Sequence, residues 1–172
     1  MNEELQKFIE SPSKIVTYDM EQMRLGKDSV LCREAKEVDD FQYWDKIIPI
    51  MFDIMQKNKG CGLAAPQIGL SYRVFILNVT KPMVFINPIV VDCGKELKED
   101  IEGCLSIPGK SYKILRPIKI KAEWTRLEDG EQQVQQYEGW TARAFQHEYD
   151  HLLGRLICHR SSYPPEPGKF QE

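Results

Sequence analysis

GWTARAFQHEYDHLLG, residues 139–154, is the stretch on which both fold and chemistry turn. Trp140, Ala144, Phe145, Tyr149 and Leu152 recur at helical spacing, with Gly139 at the entry and Gly154 as a natural C′ stop. His147 and His151 stand at i and i+4, one turn apart on one face, so both imidazoles can reach a single metal ion. Glu148 lies beside the first of them, where a carboxylate can accept a proton from an activated water. Alone, this five-residue pattern is only moderately specific, and a surface histidine pair among helix-stabilising charges would look the same. Two of the three histidines in the chain belong to it, however, and its apolar neighbours predict a buried helix. Buried imidazoles need partners. His159 reads as an ordinary surface or loop residue.

Working outward, Gln132–Tyr137 is a polar strand after the Glu128-Asp129-Gly130 turn, and Ile114–Trp124 alternates as another. Gly103–Pro108 is a short apolar segment, and Lys95–Asp100 a charged turn or edge. Val74–Val79 and Met83–Val91 are strand-like and joined tightly through Thr80-Lys81-Pro82. Asp39 or Asp40 caps a helix running to about Lys57, with Ile47, Ile50, Met51, Ile54 and Met55 on one apolar face and Pro49 inside the pattern. The methionines read as core. Residues 1–38 are mixed, with Ile15-Val16 as a short strand and Gly26-Lys27-Asp28 as polar loop. Strands flanked by two long helices predict an α+β fold, with mixed or antiparallel sheets around a central helix bearing the metal motif. Residues 1–160 are expected to form one catalytic domain. Residues 161–172, with Pro164, Pro165 and Pro167, are expected to form a Pro-rich extended tail.

The 172 residues, 42% of them hydrophobic and 28% charged, suit a folded globular protein. A net charge of -3 argues against nucleic-acid or anionic-membrane binding, and no run is apolar enough to span a bilayer. The acidic start, Met1-Asn2-Glu3-Glu4-Leu5, fits neither a secretory signal nor a transit peptide. Five cysteines without a CxxC pair suit a reducing compartment. Cys32, Cys61, Cys93 and Cys158 are expected to be small buried hydrophobes.

A catalytic tetrahedral site takes three protein ligands and one open position. After His151 the chain offers His159 and Glu166, but not the extended metzincin spacing. Cys104, in Glu102-Gly103-Cys104-Leu105-Ser106, is the better candidate. That segment, together with Gly60-Cys61-Gly62-Leu63-Ala64-Ala65-Pro66-Gln67 and His147-Glu148-Tyr149-Asp150-His151, resembles the three signature motifs of the peptide deformylase family. The resemblance spans roughly residues 28 to 160.

It implies a metal-dependent hydrolase that removes the N-formyl group from the amino-terminal formylmethionine of nascent polypeptides, releasing formate. Cys104, His147 and His151 would hold one divalent ion, ferrous iron (Fe2+) by family habit, with Zn2+, Ni2+ or Co2+ able to replace it. Glu148 would be the general base, and the Gln67 side chain and Leu105 backbone N–H would stabilise the oxyanion. Gly60, Cys61 and Gly62 would line the substrate strand, Cys61 replacing a usual Val or Ile. Ile101, Trp140, Arg143 and Ala144 would line the methionine pocket, with the Arg143 charge reaching solvent. Glu102 and Arg116 would form an ion pair near the site. Asp150 would either orient a ligating histidine or face water.

The chain departs from the family at Lys27-Asp28-Ser29-Val30-Leu31-Cys32, where a Pro-Asp-Pro-x-Leu-Arg stretch is usual. Its link from Val79 to Met83 is short, so any flap over the substrate is reduced. The prolines after Ser161 make a poor helix for docking on the ribosome. A monomer in the bacterial cytoplasm, or in the host cytoplasm if phage-encoded, is expected. The competing readings are another HExxH-type zinc metallopeptidase and a catalytically silent metal-binding domain.

Overall fold

Val74 to Leu77 is uninterruptedly apolar because both faces of its strand are covered in the computed structural model, which describes residues 2–19 and 29–160. Val74 and Ile76 pack with Trp44, Ile47, Met51 and Met55 of helix α2 (Trp44–Lys57). Phe75 and Leu77 pack on the other side with Ala142, Phe145, Tyr149 and Leu152 of helix α3 (Gly139–Leu152). Successive side chains of a strand point to opposite faces, so one sheet separates the two helices.

Before α2 stands α1 (Glu3–Glu10); between α2 and α3 come β1 (Gly62–Ala64), β2 (Val74–Asn78), β3 (Pro82–Cys93), β4 (Leu97–Cys104), β5 (Ile107–Pro117), β6 (Lys119–Thr125) and β7 (Gln132–Glu138). The short α4 (Ile157–Arg160) follows α3. The main sheet runs β1-β2-β3-β6-β7, and β4 with β5 forms a separate hairpin. Every pairing between named strands is antiparallel, and the isolated bridge Lys36↔Tyr72 is parallel. The fold is α+β, as expected. Phe75, Phe85 and Phe145 meet with ring centroids 4.9 Å apart, which locks α3 to the sheet.

Several boundaries differ from the sequence expectation. Asp40 Oδ1 accepts the Gln42 N–H at 2.9 Å, which makes a local turn, and α2 begins only at Trp44. Pro49 sits inside α2 on its exposed side, so the carbonyl left without a donor faces solvent. Ile114–Trp124 is two strands. The chain leaves the hairpin after Pro117 and enters the main sheet at Lys119, while the alternation of side chains runs on across Ile118. Of the two readings of Lys95–Asp100, charged turn or edge, the edge holds from Leu97 onward, where the chain is a strand of the two-stranded hairpin. Ile15-Val16 is not a strand, but Val16 N–H donates to Gln67 O and Tyr18 N–H to Ser106 O, both at 2.7 Å. Cys32, Cys93 and Cys158 are half-buried and Cys61 is exposed, so none of the four is the buried hydrophobe expected. The Gly26-Lys27-Asp28 loop, with it the first two residues of the Lys27–Cys32 departure, and the tail from 161 to 172 lie outside the described residues, while Val30–Cys32 forms a single 3₁₀ turn capped by Ser29.

Within the hairpin, Leu105 and Ser106 form the turn, Cys104 pairs with Ile107, and Gly103 pairs with Ser111. Pro108, Gly109 and Lys110 are thereby displaced from the register, with Gly109 at φ +73°. The displaced residues overhang the cleft described next.

Candidate metal centre

Helix α3 carries the centre and is closed at both ends by glycines with positive φ, Gly139 at +63° and Gly154 at +66°. At its end Gly154 N–H donates to His151 O at 3.2 Å and Arg155 N–H to Asp150 O at 2.8 Å, the two bonds of a Schellman cap. A Cβ on Gly154 would stand 2.7 Å from the backbone carbon of Cys32. The glycine therefore serves both the turn and a close chain crossing.

The helix brings the His147 and His151 rings to a centroid separation of 5.2 Å. Strand β4 supplies Cys104, whose Sγ lies 3.3 Å from His151 Nε2. The donor atoms of Cys104, His147 and His151 all fall within 4.8 Å of one another. Ligands held about 2.0–2.3 Å from a tetrahedral ion stand ~3.5 Å apart, so the sulfur–nitrogen spacing fits a bound divalent metal.

Protonation states fit as well. Glu102 is two residues before Cys104, on the same face of β4. Its Oε1 accepts from Arg116 Nε at 2.7 Å and Arg143 Nη1 at 2.6 Å. Its Oε2 accepts from Arg116 Nη2 at 2.8 Å and lies 3.0 Å from His147 Nδ1. Burial alone would raise this carboxyl, but the Arg116 and His147 hydrogen bonds outweigh it and hold it well below the usual carboxylate range. An ionised carboxylate only accepts, so His147 Nδ1 carries a proton. Burial opposes a second one, but the Cys104 and Glu102 hydrogen bonds outweigh it and raise the His147 pKa, so a metal ion at Nε2 would take the place of that second proton. Burial, reinforced by His147 and Arg116, lowers the His151 pKa and keeps that imidazole neutral, as a ligand must be.

Glu148 is buried, and burial lifts its pKa to about 7 although His147 opposes the rise. Its Oε2 has no hydrogen-bond partner among the described residues. The carboxyl group rests against Gly62: a Cβ there would fall 2.8 Å from Glu148 Cδ and closer still to Oε1. Gln67 is also buried; its Oε1 accepts the Ala64 N–H at 2.9 Å. That bond fixes the amide orientation, so Nε2 points toward Ser106 Oγ at 3.2 Å and Cys104 Sγ at 3.6 Å. Ser106, fully buried, was not singled out from the sequence. The available signal was a small hydroxyl within the apolar Leu105–Pro108 run, where it needs a partner.

Gln67, Glu102, Cys104, His147 and Glu148 line one cleft of about 730 Å³, and the buried His151 brings its donor atom within 4.8 Å of those of Cys104 and His147. Gly60, Cys61 and Gly62 form one wall, and Leu105 packs against it at Gly60. Ile101 and Trp140 are at the rim, 60% and 52% exposed, and Ala144 lies deeper. Arg143 also borders the cleft, but its charge does not reach solvent. Besides Glu102, its guanidinium donates to Ile114 O at 3.1 Å and Lys98 O at 2.6 Å, because the hairpin backbone closes over it. Asp150 neither faces water nor touches a ligating imidazole. It is buried and accepts from Arg116 at 2.8 Å and Arg160 at 2.6 Å, joining the Glu102 network from behind. His159 is exposed beside the Tyr18 hydroxyl at 3.1 Å, away from the centre, as expected.

The family model described as Polypeptide deformylase matches residues 14–165. A peptide deformylase of Clostridium botulinum is 43% identical over 140 residues, covering 78% of this chain and 92% of that one. The crystal structure of peptide deformylase from Thermotoga maritima superposes with a TM-score of 0.80 at 37% identity, covering 88% of this chain and 99% of that one. A Met-Ala-Ser-bound peptide deformylase from Acinetobacter baumannii superposes with a TM-score of 0.77 at 27% identity, covering 87% and 98%.

Proposed function

The chain belongs to the polypeptide deformylase family, and from that premise we propose how its residues remove the formyl group from the amino-terminal formylmethionine of a new polypeptide. The reaction is metal-dependent hydrolysis of the formyl amide, giving formate and a free amino terminus. The observation that carries the residue roles is that Cys104 and His147 share one cleft with the Glu148 carboxylate and the Gln67 amide, with the His151 donor atom within 4.8 Å of those of Cys104 and His147.

Cys104 Sγ and the Nε2 atoms of His147 and His151 would hold the ion, and a thiolate with two imidazoles suits Fe2+, with Zn2+, Ni2+ or Co2+ as substitutes. When bound, the ion supplies positive charge that makes a water more acidic and polarises the formyl group. Glu148 takes a proton from the attacking water as its oxygen adds to the formyl carbon. Gln67 Nε2 and the Leu105 backbone N–H donate to the oxygen that becomes negative. Glu148 then passes the proton to the departing nitrogen as the C–N bond breaks.

Strand β1 supplies the substrate track. It is the edge of its sheet, and Asn78 N–H donates to Cys61 O, so the N–H and C=O of Gly62 face away from β2. An extended peptide can add there as a further strand. Ile101, Trp140 and Ala144 then receive the methionine side chain, with the Arg143 stem at its border. A silent binding domain has no use for Glu148 held free of hydrogen bonds at Oε2. The working form is a cytoplasmic monomer acting on formylated nascent chains, with residues 1–160 as one catalytic unit and no ribosome docking through the tail.

The test is an anaerobic assay of formyl-Met-Ala-Ser against acetyl-Met-Ala-Ser. Formate release from the first and no cleavage of the second is expected. Equal turnover of both, or none of the first with iron loaded, defeats the reading.

A further inference from the structure

A substrate strand beside β1 has two ways to run from its reacting end, which Glu148 fixes next to Gly62. Toward Ala64 the way is shut. The outward N–H of Ala64 is already bonded to Gln67 Oε1, and Leu63 and Ala64 are fully buried. Toward Gly60 it is open, since Cys61, Lys59 and Asn58 are exposed. The polypeptide therefore leaves past Asn58.

Asn58, Leu105 and Pro108 line the catalytic cleft, and the same three residues line a second groove of about 820 Å³. That groove lies between the segment Pro12–Thr17 and the outer side of α2. Ile15, Pro49, Ile50 and Ile54 give it an apolar lining. Of its charged residues, Asp53 and Lys57 pair with each other at 2.6 Å, and Lys14 is at its border. The Pro12–Thr17 wall is tied to the site itself through the Val16 N–H bond to Gln67 O. Pairing with Gly62, Cys61 and Gly60 takes up about three residues of an extended substrate before Lys59, at φ +57°, turns the chain into Asn58 at the end of α2, so the groove begins at about the fourth residue.

We propose that this groove is an extension of the substrate site and takes apolar side chains of the formylated polypeptide from about its fourth residue onward. The proposal rests on the deformylase reading above and goes beyond it by giving the enzyme a preference downstream of methionine. Its chemistry is burial of aliphatic side chains against Ile15, Ile50 and Ile54.

The test compares kcat/KM of the iron-loaded full chain on formyl-Met-Ala-Ser-Leu-Leu-Leu and formyl-Met-Ala-Ser-Ser-Ser-Ser, with formyl-Met-Ala-Ser as reference. The leucine peptide should exceed the serine one by about tenfold, the scale of partly burying one or two side chains. That ratio should fall toward one in Ile54→Asp and, independently, in Ile15→Asp. Equal values for the two hexapeptides, or a ratio that neither variant moves, overturns the extended site. A ratio near one with a sedimentation coefficient that rises with concentration assigns the groove to a second copy instead. Failure to deformylate the tripeptide defeats the functional reading, which is a separate result.

Discussion

The carboxyl carbon of Glu148 lies 2.8 Å from where a Cβ on Gly62 would stand. Glycine at 62 is thus a condition for the position of the proposed base. Gly62→Ala should push the carboxylate aside and cut kcat/KM by roughly a hundredfold, the lower end of what positioned proton transfer contributes. Metal content and thermal midpoint should stay near those of the parent, which atomic absorption and circular dichroism would check.

Removing the carboxylate itself isolates the chemical step. Glu148→Ala should retain the metal while kcat falls by roughly 10²–10⁴. Loss of the metal in that variant, seen after dialysis, would recast Glu148 as a structural residue.

Cys104 offers the one sulfur among the three donor atoms of the cluster. Cys104→Ser should weaken metal binding and shift preference toward harder ions. Competitive loading with zinc and magnesium reads this without any assay of activity, and an unchanged metal content would exclude Cys104 from the ligand set.

Arg143 donates to Glu102, Ile114 O and Lys98 O from a buried position. Arg143→Ala leaves Glu102 with one guanidinium fewer and two hairpin carbonyls without their donor. Stability in urea should drop by about 3–5 kcal/mol, as for other buried pairs stripped of one partner. Arg143→Lys should recover part of it.

Gly154 combines φ +66° with a prospective Cβ 2.7 Å from the Cys32 backbone. Gly154→Ala should cost about 1–2 kcal/mol for the left-handed conformation alone, and more for the crossing. A lower urea midpoint with unchanged slope would show it.

The α+β character, the two long helices and the grouping of His147 and His151 were legible because periodicity is a local property of the chain. What stayed illegible is set by partners far along it. The Arg143 side chain looked free to reach water because nothing nearby in sequence announces carbonyls at Lys98 and Ile114. Asp150 offered two local readings, and its actual partners, Arg116 and Arg160, come from β5 and α4. The break at Ile118 escaped notice because alternation persists while the strand changes sheets. Gly62 read as room for another backbone, yet the atoms that occupy the space belong to a carboxylate.

The chain of contacts from Arg160 through Asp150, Arg116 and Glu102 to His147 bears on how such a site could be moved between proteins. Grafting His147–His151 onto a foreign helix would carry over two imidazoles and leave one of them free to choose its tautomer. The smallest transplantable unit is the helix together with the β4–β5 hairpin, since that pair carries the third donor and the acceptor that decides which nitrogen keeps its proton. Anyone recombining homologous chains should therefore place crossovers outside residues 97–160, where both halves of the device travel together.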